Sequence, residues 1–142
     1  MNNVNKAVDL CIYRINDAYK TLDTAKLCIE HKRYKDAINR CYYAVFYAVK
    51  AVFALEEIDF KRHKDAVAYF NRHYVATKVF DRELGKRLGR LKRKRETSDY
   101  DDFYVASYEE AEEQYEAAEL IVKSIRKFLK DRLSDQLNGH RL

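Results

Sequence analysis

The chain has 142 residues, no proline, three glycines and a net charge of +5 at pH 7. This length suits one domain, and the shortage of turn residues argues against a β-rich fold. No apolar run approaches the roughly 20 residues of a membrane span, and the N-terminus MNNVNKAVDL is too polar for a signal peptide. We therefore expect a cytoplasmic, all-α, single domain over residues 1–142. It should be an up-and-down bundle of about five helices, with a core over residues 4–133 and a mobile tail over residues 134–142.

The first and last helices share one apolar pattern. Apolar residues recur at alternating intervals of four and three, a heptad pattern that keeps one stripe against a partner helix. In the first helix, predicted over residues 4–31, they are Val4, Val8, Cys11, Ile15, Ala18, Leu22, Ala25 and Ile29. In the last helix they are Tyr104, Tyr108, Ala111, Tyr115, Ala118, Val122, Ile125 and Leu129. We expect these two helices to pack lengthwise.

A second helix, predicted over residues 34–57, is apolar on nearly all sides, which is typical of a central, buried helix. Its polar side chains recur every three or four residues and so share one face. They are Asn39, Tyr43 and Tyr47, with Arg40 and Lys50 beside them. Because buried polar groups need partners, this stripe either bonds internally or lines a cleft. The tyrosines, Tyr42 among them, can stack nucleobases or belong to the core.

Two shorter helices are predicted next. The first, over residues 63–80, should place Val67, Phe70, Tyr74 and Thr77 on one face. Asp81 is a candidate N-cap for the second helix, which should bury Leu84, Leu88 and Leu91. Apolar periodicity then stops until Tyr104, and residues 96–103 are interpreted as a polar connection.

Charge is unevenly distributed. Residues 82–95 hold eight Lys or Arg and one acid, whereas residues 96–119 hold ten acids and no base. A basic block of this kind either binds a polyanion or an acidic partner, or forms a solvated helix face. Its last basic residues before Arg95, which are Lys92, Arg93 and Lys94, are candidate contacts to RNA phosphates.

The sequence offers little for cofactor or metal binding. The cysteines, Cys11, Cys28 and Cys41, lack the spacing of a disulfide framework or a zinc site. We interpret them as small core residues in a reducing compartment. No Walker loop, glycine-rich fingerprint or metal-ligand cluster is present in the sequence. We expect no cofactor and no metal ion.

Several motifs follow one another in a specific order. They are Tyr34-x-x-Ala37-x-Asn39-Arg40-x-Tyr42-Tyr43-Ala44-x-Phe46, then His63, then Arg95-x-x-x-Asp99-Tyr100, and finally Tyr108, Ala111 and Ala118. This ordered set covers roughly residues 5–130. It resembles the HEPN (higher eukaryotes and prokaryotes nucleotide-binding) superfamily, in its small prokaryotic type.

The resemblance implies a bundle of four or five helices that is often a homodimer. In many members an Arg, four to six variable residues and a His form a metal-independent ribonuclease site at the dimer cleft. The resemblance also implies a partner, a minimal nucleotidyltransferase that acts as antitoxin to the HEPN toxin. In some pairs this partner modifies a tyrosine next to the motif with AMP.

Arg95 stands at the arginine position of that motif. A guanidinium can bind the extra negative charge of a pentacovalent phosphorus, while a histidine takes the 2′-hydroxyl proton. No histidine follows Arg95 until His140, and Asp99 and Tyr100 stand at the expected spacing. The predicted catalytic residues are therefore Arg95, Asp99 and Tyr100. The predicted RNA- or nucleotide-binding residues are Asn39, Arg40, Tyr43, Tyr47, His63, Lys92, Arg93 and Lys94.

Two functions fit these observations. The basic block and Arg95 favour a toxin-like module that binds and cleaves RNA together with a nucleotidyltransferase partner. The missing histidine favours a non-catalytic module that binds a nucleotide or a protein. We prefer the first and leave open whether the chain is an enzyme. The long heptad stripes, the basic face and the resemblance predict a homodimer.

Overall fold

The computed structural model describes residues 3–137, with side chains described for residues 6–134. Its α-helices are α1 (Asn3–Glu30), α2 (Tyr34–Glu56), α3 (His63–Phe70), α4 (Arg82–Tyr100) and α5 (Tyr108–Leu137). A π-helical turn, Asn71–Val75, continues α3. Within residues 3–137 there is no strand, and no helix is long and apolar enough to span a bilayer. The predicted all-α bundle of five helices is confirmed.

The four long helices pack around one core in the cyclic order α1, α2, α4, α5. Helix α2 also contacts α5 across the bundle and α3 at its end, whereas α1 and α4 share no contact in the described part of the chain. Most residues of α2 are buried, as predicted for a central helix. The cyclic order places the α2–α4 side and the α1–α5 side on opposite faces of the bundle.

The heptad stripes are buried inside the chain. In α1 every member from Val8 to Ile29 is buried, and in α5 the buried members are Ala111, Ala118, Val122, Ile125 and Leu129. The side chain of Val4 lies outside the described residues. Because the stripes pack against other helices of the same chain, a homodimer has to use other surfaces. Most of the predicted tail, residues 138–142, also lies outside the described residues, and α5 continues to Leu137.

The cysteines behave largely as core residues. Cys11 and Cys41 are buried and free, and burial raises the pKa of each thiol to about 12. Both thiols therefore stay protonated and unreactive at neutral pH. Cys28 is free and half-buried.

The prediction of one helix over residues 63–80 was wrong in its second half. Helix α3 ends at Phe70, and after the π-helical turn Lys78 adopts a left-handed conformation with φ 66°. The chain then turns back, and the Phe80 ring packs 5.4 Å from Phe70 and 5.1 Å from Phe128. Phe80 is thus buried, while Thr77, which was expected to face inward, is exposed.

The predicted connection over residues 96–103 was wrong for residues 96–100, because α4 continues through Tyr100, and right for residues 101–103, which lie between α4 and α5. Two ion pairs at i, i+4 spacing support this last part of the helix: Lys92–Glu96 at 2.7 Å and Arg95–Asp99 at 3.4 Å. Ser98 is fully buried between them. The segment was not predicted as helical because it is polar and acidic, and because its buried side chain is a serine and not an apolar residue.

Helix α5 begins later than its apolar pattern indicated, since Tyr104 precedes it. Ser107 Oγ accepts a hydrogen bond from the Glu110 backbone N–H at 3.1 Å, which caps the helix. Asp81 caps α4 as predicted, by accepting from the Glu83 N–H. Leu84, Leu88 and Leu91 are buried as predicted.

Candidate nucleic-acid site between α2 and α4

Polar residues of α2 and α4 meet at the face where these helices pack. Asn39 Nδ2 donates to Asp99 Oδ2 at 3.2 Å. Arg95 Nη1 donates to the same oxygen at 3.4 Å. Arg40 Nη2 donates to Asn39 Oδ1 at 2.8 Å, which fixes the orientation of the amide. Asn39 and Arg40 of the polar stripe therefore join Asp99 and Arg95 of α4 in one hydrogen-bonded network, the Arg95 network.

Arg95 is held against aromatic rings. Its guanidinium carbon lies 4.8 Å from the centroid of Tyr42 and 5.7 Å from that of Tyr43, and its side chain is 11% exposed. Aromatic faces attract a guanidinium because the ring quadrupole presents negative charge. Burial opposes the charged form, but Tyr43, Tyr42 and Asp99 outweigh it and raise the pKa of Arg95. Arg95 is therefore cationic at any working pH.

The hydrogen-bonding capacity of Arg95 is only partly used. Nη1 pairs with Asp99, whereas Nε is buried without a partner. A guanidinium carries five N–H donors in a rigid fork. Donors therefore remain for an anionic ligand.

His63, the first residue of α3, lies in the same aromatic cluster. Its ring stacks on Phe46 with centroids 3.9 Å apart and meets Tyr43 edge-on at 5.5 Å. Its Nδ1 lies 3.4 Å from the Tyr42 hydroxyl. Burial, followed by the positive charges of Arg95 and Lys50, lowers the pKa of His63. The imidazole is therefore mostly neutral at pH 7.

Tyr42 links the imidazole to the guanidinium. Its ring is fully buried. Burial raises the pKa of Tyr42 to about 12, although the Arg95 charge opposes this shift. The hydroxyl keeps its proton at neutral pH, and the buried ring has no free face for a nucleobase. Of the two interpretations of Tyr42 from the sequence, the structure supports the core position.

The other predicted site residues lie at varying distances from this cluster. Tyr47 is half-buried, with its ring 6.1 Å from that of Tyr43. Tyr100 is 76% exposed and makes no hydrogen bond or ring contact with the cluster among the described residues. It was predicted as a catalytic residue beside Asp99, but its side chain is exposed and lies outside the network of Asn39, Asp99 and Arg95.

The basic residues before Arg95 are also outside the cluster. Lys92 pairs with Glu96 and Lys94 with Glu110, at 2.7 and 3.6 Å. Arg93 is exposed. These side chains form a basic surface on α4 next to the network, and acidic neighbours partly neutralise it.

Sequence reasoning missed the roles of two aromatic residues. Phe46 stacks on the imidazole of His63, and Tyr42 contacts both His63 and Arg95. Both belong to the motif of α2, but an apolar stretch gives no sign of which ring faces a charge. The proximity of His63 to Arg95 was likewise not predictable, because they lie on different helices.

The described side chains, residues 6–134, include no group of three or more His, Cys, Asp or Glu placed to hold a metal ion. The groups that can act on a ligand are thus a guanidinium, an imidazole, a carboxylate and an amide. Together they can bind a phosphate and exchange a proton with a nearby hydroxyl.

The family of the chain follows from comparison with known proteins. The model of the HEPN domain matches residues 13–128. The chain belongs to the HEPN family. The match includes every member of the Arg95 network and the aromatic cluster around it.

Three relatives match this HEPN chain over most of its length. A "UPF0332 protein" of Thermotoga maritima is 34% identical over 92% of this chain and 97% of its own length. Two proteins of Methanocaldococcus jannaschii, each named "Putative toxin", are 30% and 31% identical. They cover 81% and 82% of this chain, and 78% and 87% of their own lengths.

Proposed function

We propose that this chain is a toxin-like HEPN module that binds RNA at the Arg95 network and works with a nucleotidyltransferase antitoxin. The observation that carries the proposal is the state of Arg95. This cation is half-buried against two tyrosine rings, pairs with one carboxylate at 3.4 Å and has a donor, Nε, without a partner. The toxin names of two relatives support the biological role.

RNA suits this site because its backbone is a chain of phosphodiesters. An anionic oxygen binds a guanidinium through charge-assisted hydrogen bonds, which are roughly twice as strong as neutral ones. The half-buried rings of Tyr43 and Tyr47 offer aromatic surface beside Arg95, and bases stack on such rings whatever their sequence. The basic surface of Lys92, Arg93 and Lys94 would attract the backbone from a distance.

RNA cleavage is proposed to use His63 in place of the missing motif histidine. The neutral imidazole that its lowered pKa favours is the form that accepts a proton. If His63 Nδ1–H donates to the Tyr42 oxygen, Nε2 carries the lone pair and can take the proton of a 2′-hydroxyl. The 2′-oxygen would attack the phosphorus and displace the 5′-oxygen, which leaves a 2′,3′-cyclic phosphate and, once it takes up a proton, a 5′-hydroxyl. Arg95, beside the same tyrosine, would stabilise the negative charge on the phosphoryl oxygens.

The second candidate function is a non-catalytic module that binds a nucleotide or an RNA end. The Tyr42–His63 contact supports it in the opposite tautomer. If the protonated Tyr42 hydroxyl donates to Nδ1, the imidazole proton sits on Nε2. His63 would then donate a hydrogen bond to a phosphate and could not act as a base. The tautomer of His63 therefore distinguishes the two candidate functions, the ribonuclease and the non-catalytic binding module.

The nucleotidyltransferase partner is proposed to act on Tyr100. An acceptor hydroxyl must enter the active site of another protein, and the Tyr100 side chain is 76% exposed at the end of α4. Its oxygen would form a bond to the α-phosphorus of ATP, with pyrophosphate as the leaving group. The added AMP would place a negative charge at the end of α4, where it would repel an approaching RNA backbone.

Binding is tested by fluorescence anisotropy with a labelled single-stranded RNA. Arg95→Ala should weaken binding at least tenfold, whereas Arg72→Ala, the same change at an exposed position outside the proposed RNA surface, should have a small effect. Charge reversal of Lys92, Arg93 and Lys94 should flatten the salt dependence, by about 0.7 in log K per log salt for each phosphate that is no longer neutralised. Equal affinity of the wild type and Arg95→Ala would remove the network as the binding site.

Cleavage is tested on the same RNA with His63→Asn. The asparagine amide can still form a hydrogen bond with Tyr42 but cannot accept a proton as the imidazole does. Loss of cleavage with retained affinity would support His63 as the base. Undiminished cleavage would exclude it. Absence of cleavage by the wild type, with RNA binding intact, would favour the non-catalytic module.

A further inference from the structure

A second basic surface lies in a groove between α1 and α5. The groove has a volume of about 640 Å³. It is lined by Asn16, Tyr19, Lys123, Arg126, Lys127 and Lys130. Four of these six side chains are cationic and none is acidic. The basic block of α4 contributes none of them.

The four cations share one face because they lie on α5 at intervals of three and four residues. Lys123 pairs with Glu119 at 3.7 Å. The other three form no ion pair with the described side chains. Like charges at this spacing repel one another and destabilise a helix, so the repulsion would be relieved by an anionic ligand.

The opposite wall supplies an aromatic ring and an amide. Tyr19 is half-buried against the core, and the Arg126 guanidinium carbon lies 5.8 Å from its centroid. Asn16 is exposed one helical turn before Tyr19. A ring, a stacked guanidinium and an amide can hold a base, while lysines at the same site hold the phosphates.

The groove is separate from the Arg95 network. The network lies where α2 packs on α4, and the cyclic order of helices places the α1–α5 side on the opposite face. An RNA chain held only at Arg95 would not reach this groove without passing around the bundle. The groove is thus a distinct contact surface.

We propose that the groove between α1 and α5 binds single-stranded RNA, with phosphates on Arg126, Lys127 and Lys130 and a base on Tyr19. The class of ligand rests on the proposed function, whereas the location rests on this groove alone. A membrane surface is disfavoured, because a helix that lies on a bilayer buries an apolar face. In the described part of α5, the exposed large apolar side chains are Tyr108 and Leu120.

The test compares RNA affinity across salt concentrations for the full chain and two triple variants. Changing Arg126, Lys127 and Lys130 to Gln should weaken binding at least tenfold at low salt. It should also reduce the slope of log K against log salt by about 2, because each of the three phosphates that are no longer neutralised contributes about 0.7. The matched control changes three exposed lysines outside both surfaces, Lys6, Lys61 and Lys78, to Gln and should leave the slope unchanged.

Two single variants refine the result. Tyr19→Ala should weaken binding with an unchanged salt slope, because a base contact releases no counterion, and Tyr19→Phe should bind as the wild type does. Melting temperature serves as the folding control for all variants. Equal effects of the two triple variants would overturn the groove as a site.

Arg95→Ala separates this proposal from the proposed function. If it abolishes binding while the α5 triple variant binds normally, the groove proposal fails and the proposed function stands. If the α5 variant loses binding and Arg95→Ala does not, the groove stands and the Arg95 network is not the RNA site. Binding to anionic phospholipid vesicles without any RNA binding would overturn the groove proposal.

Discussion

The amide of Asn39 donates to the carboxylate of Asp99 across 3.2 Å, which ties α2 to α4 between residues 60 positions apart. The same carboxylate oxygen accepts from Arg95. Asp99 thus accepts hydrogen bonds from both helices through one carboxylate oxygen. We infer that Asp99 positions Arg95, whereas the sequence alone had grouped it with the catalytic residues.

Asn39→Asp should destabilise the protein. The variant places a second carboxylate beside the Asp99 oxygen that now accepts from the Asn39 amide, and it removes a partly buried hydrogen bond. We expect the free energy of unfolding in urea to fall by about 1–3 kcal/mol. Asn16→Asp, the same change at an exposed position of α1, should cost much less. Equal decreases in the two variants would mean that the Asn39–Asp99 bond does not stabilise the fold.

Arg95→Ala should abolish growth arrest when the chain is expressed without its partner. Arg95→Lys should restore little activity, because an ammonium lacks the planar fork that stacks on Tyr42 and Tyr43. Melting temperature should change modestly, since the buried heptad stripes do not include Arg95. Arrest by Arg95→Ala as strong as by the wild type would make Arg95 a structural cation. A wild type that is harmless and cuts no RNA would favour the non-catalytic module.

His63 should make stability dependent on pH. Its pKa is lowered from the ordinary value of 6.5 in the folded state, so between the two pKa values the unfolded chain binds more protons. Stability contributed by neutral His63 is therefore lost as pH falls from 6.5 through the folded pKa, and is fully present above 6.5. His63→Gln should reduce the rise in melting temperature from pH 5 to 7, and His31→Gln should not. An unchanged rise in the His63 variant would contradict this assignment.

Tyr100→Phe should prevent modification by the nucleotidyltransferase. The change keeps the ring and removes the acceptor oxygen, so intact-mass spectrometry after incubation with the partner and ATP should show no added AMP. Tyr13→Phe removes a hydroxyl from another exposed tyrosine, 68% exposed on α1, and should leave modification unchanged. Normal modification of Tyr100→Phe would place the acceptor elsewhere. RNA binding by unmodified Tyr100→Phe should match that of the wild type.

A homodimer is still expected, although the heptad stripes that suggested it are buried within the chain. Light scattering at micromolar concentration should give about twice the 16.9 kDa of one chain. A mass of one chain across that range would contradict the prediction.

The fold was largely predictable because its main signals are local. Apolar spacing in α1, α2 and α5, and the Asp81 cap, depend on residues within a few positions of one another, and the structure confirms them. The errors arose where distant contacts decide. Phe80 ends its segment by packing on Phe128, and α4 extends past Arg95 to a point where Asp99 bonds to Asn39, which is 60 positions away in the sequence.

The sequence by itself determined the helical bundle, the polar stripe of α2 and the Arg95 and Asp99 positions, since one-face periodicity is a property of neighbouring residues. Only the tertiary structure brought His63 to the ring that also contacts Arg95, turned Tyr100 outward and lined one groove with cations of α5. Each of these depends on how separate helices pack, and packing is set by the summed contacts of the whole core, which no local pattern encodes.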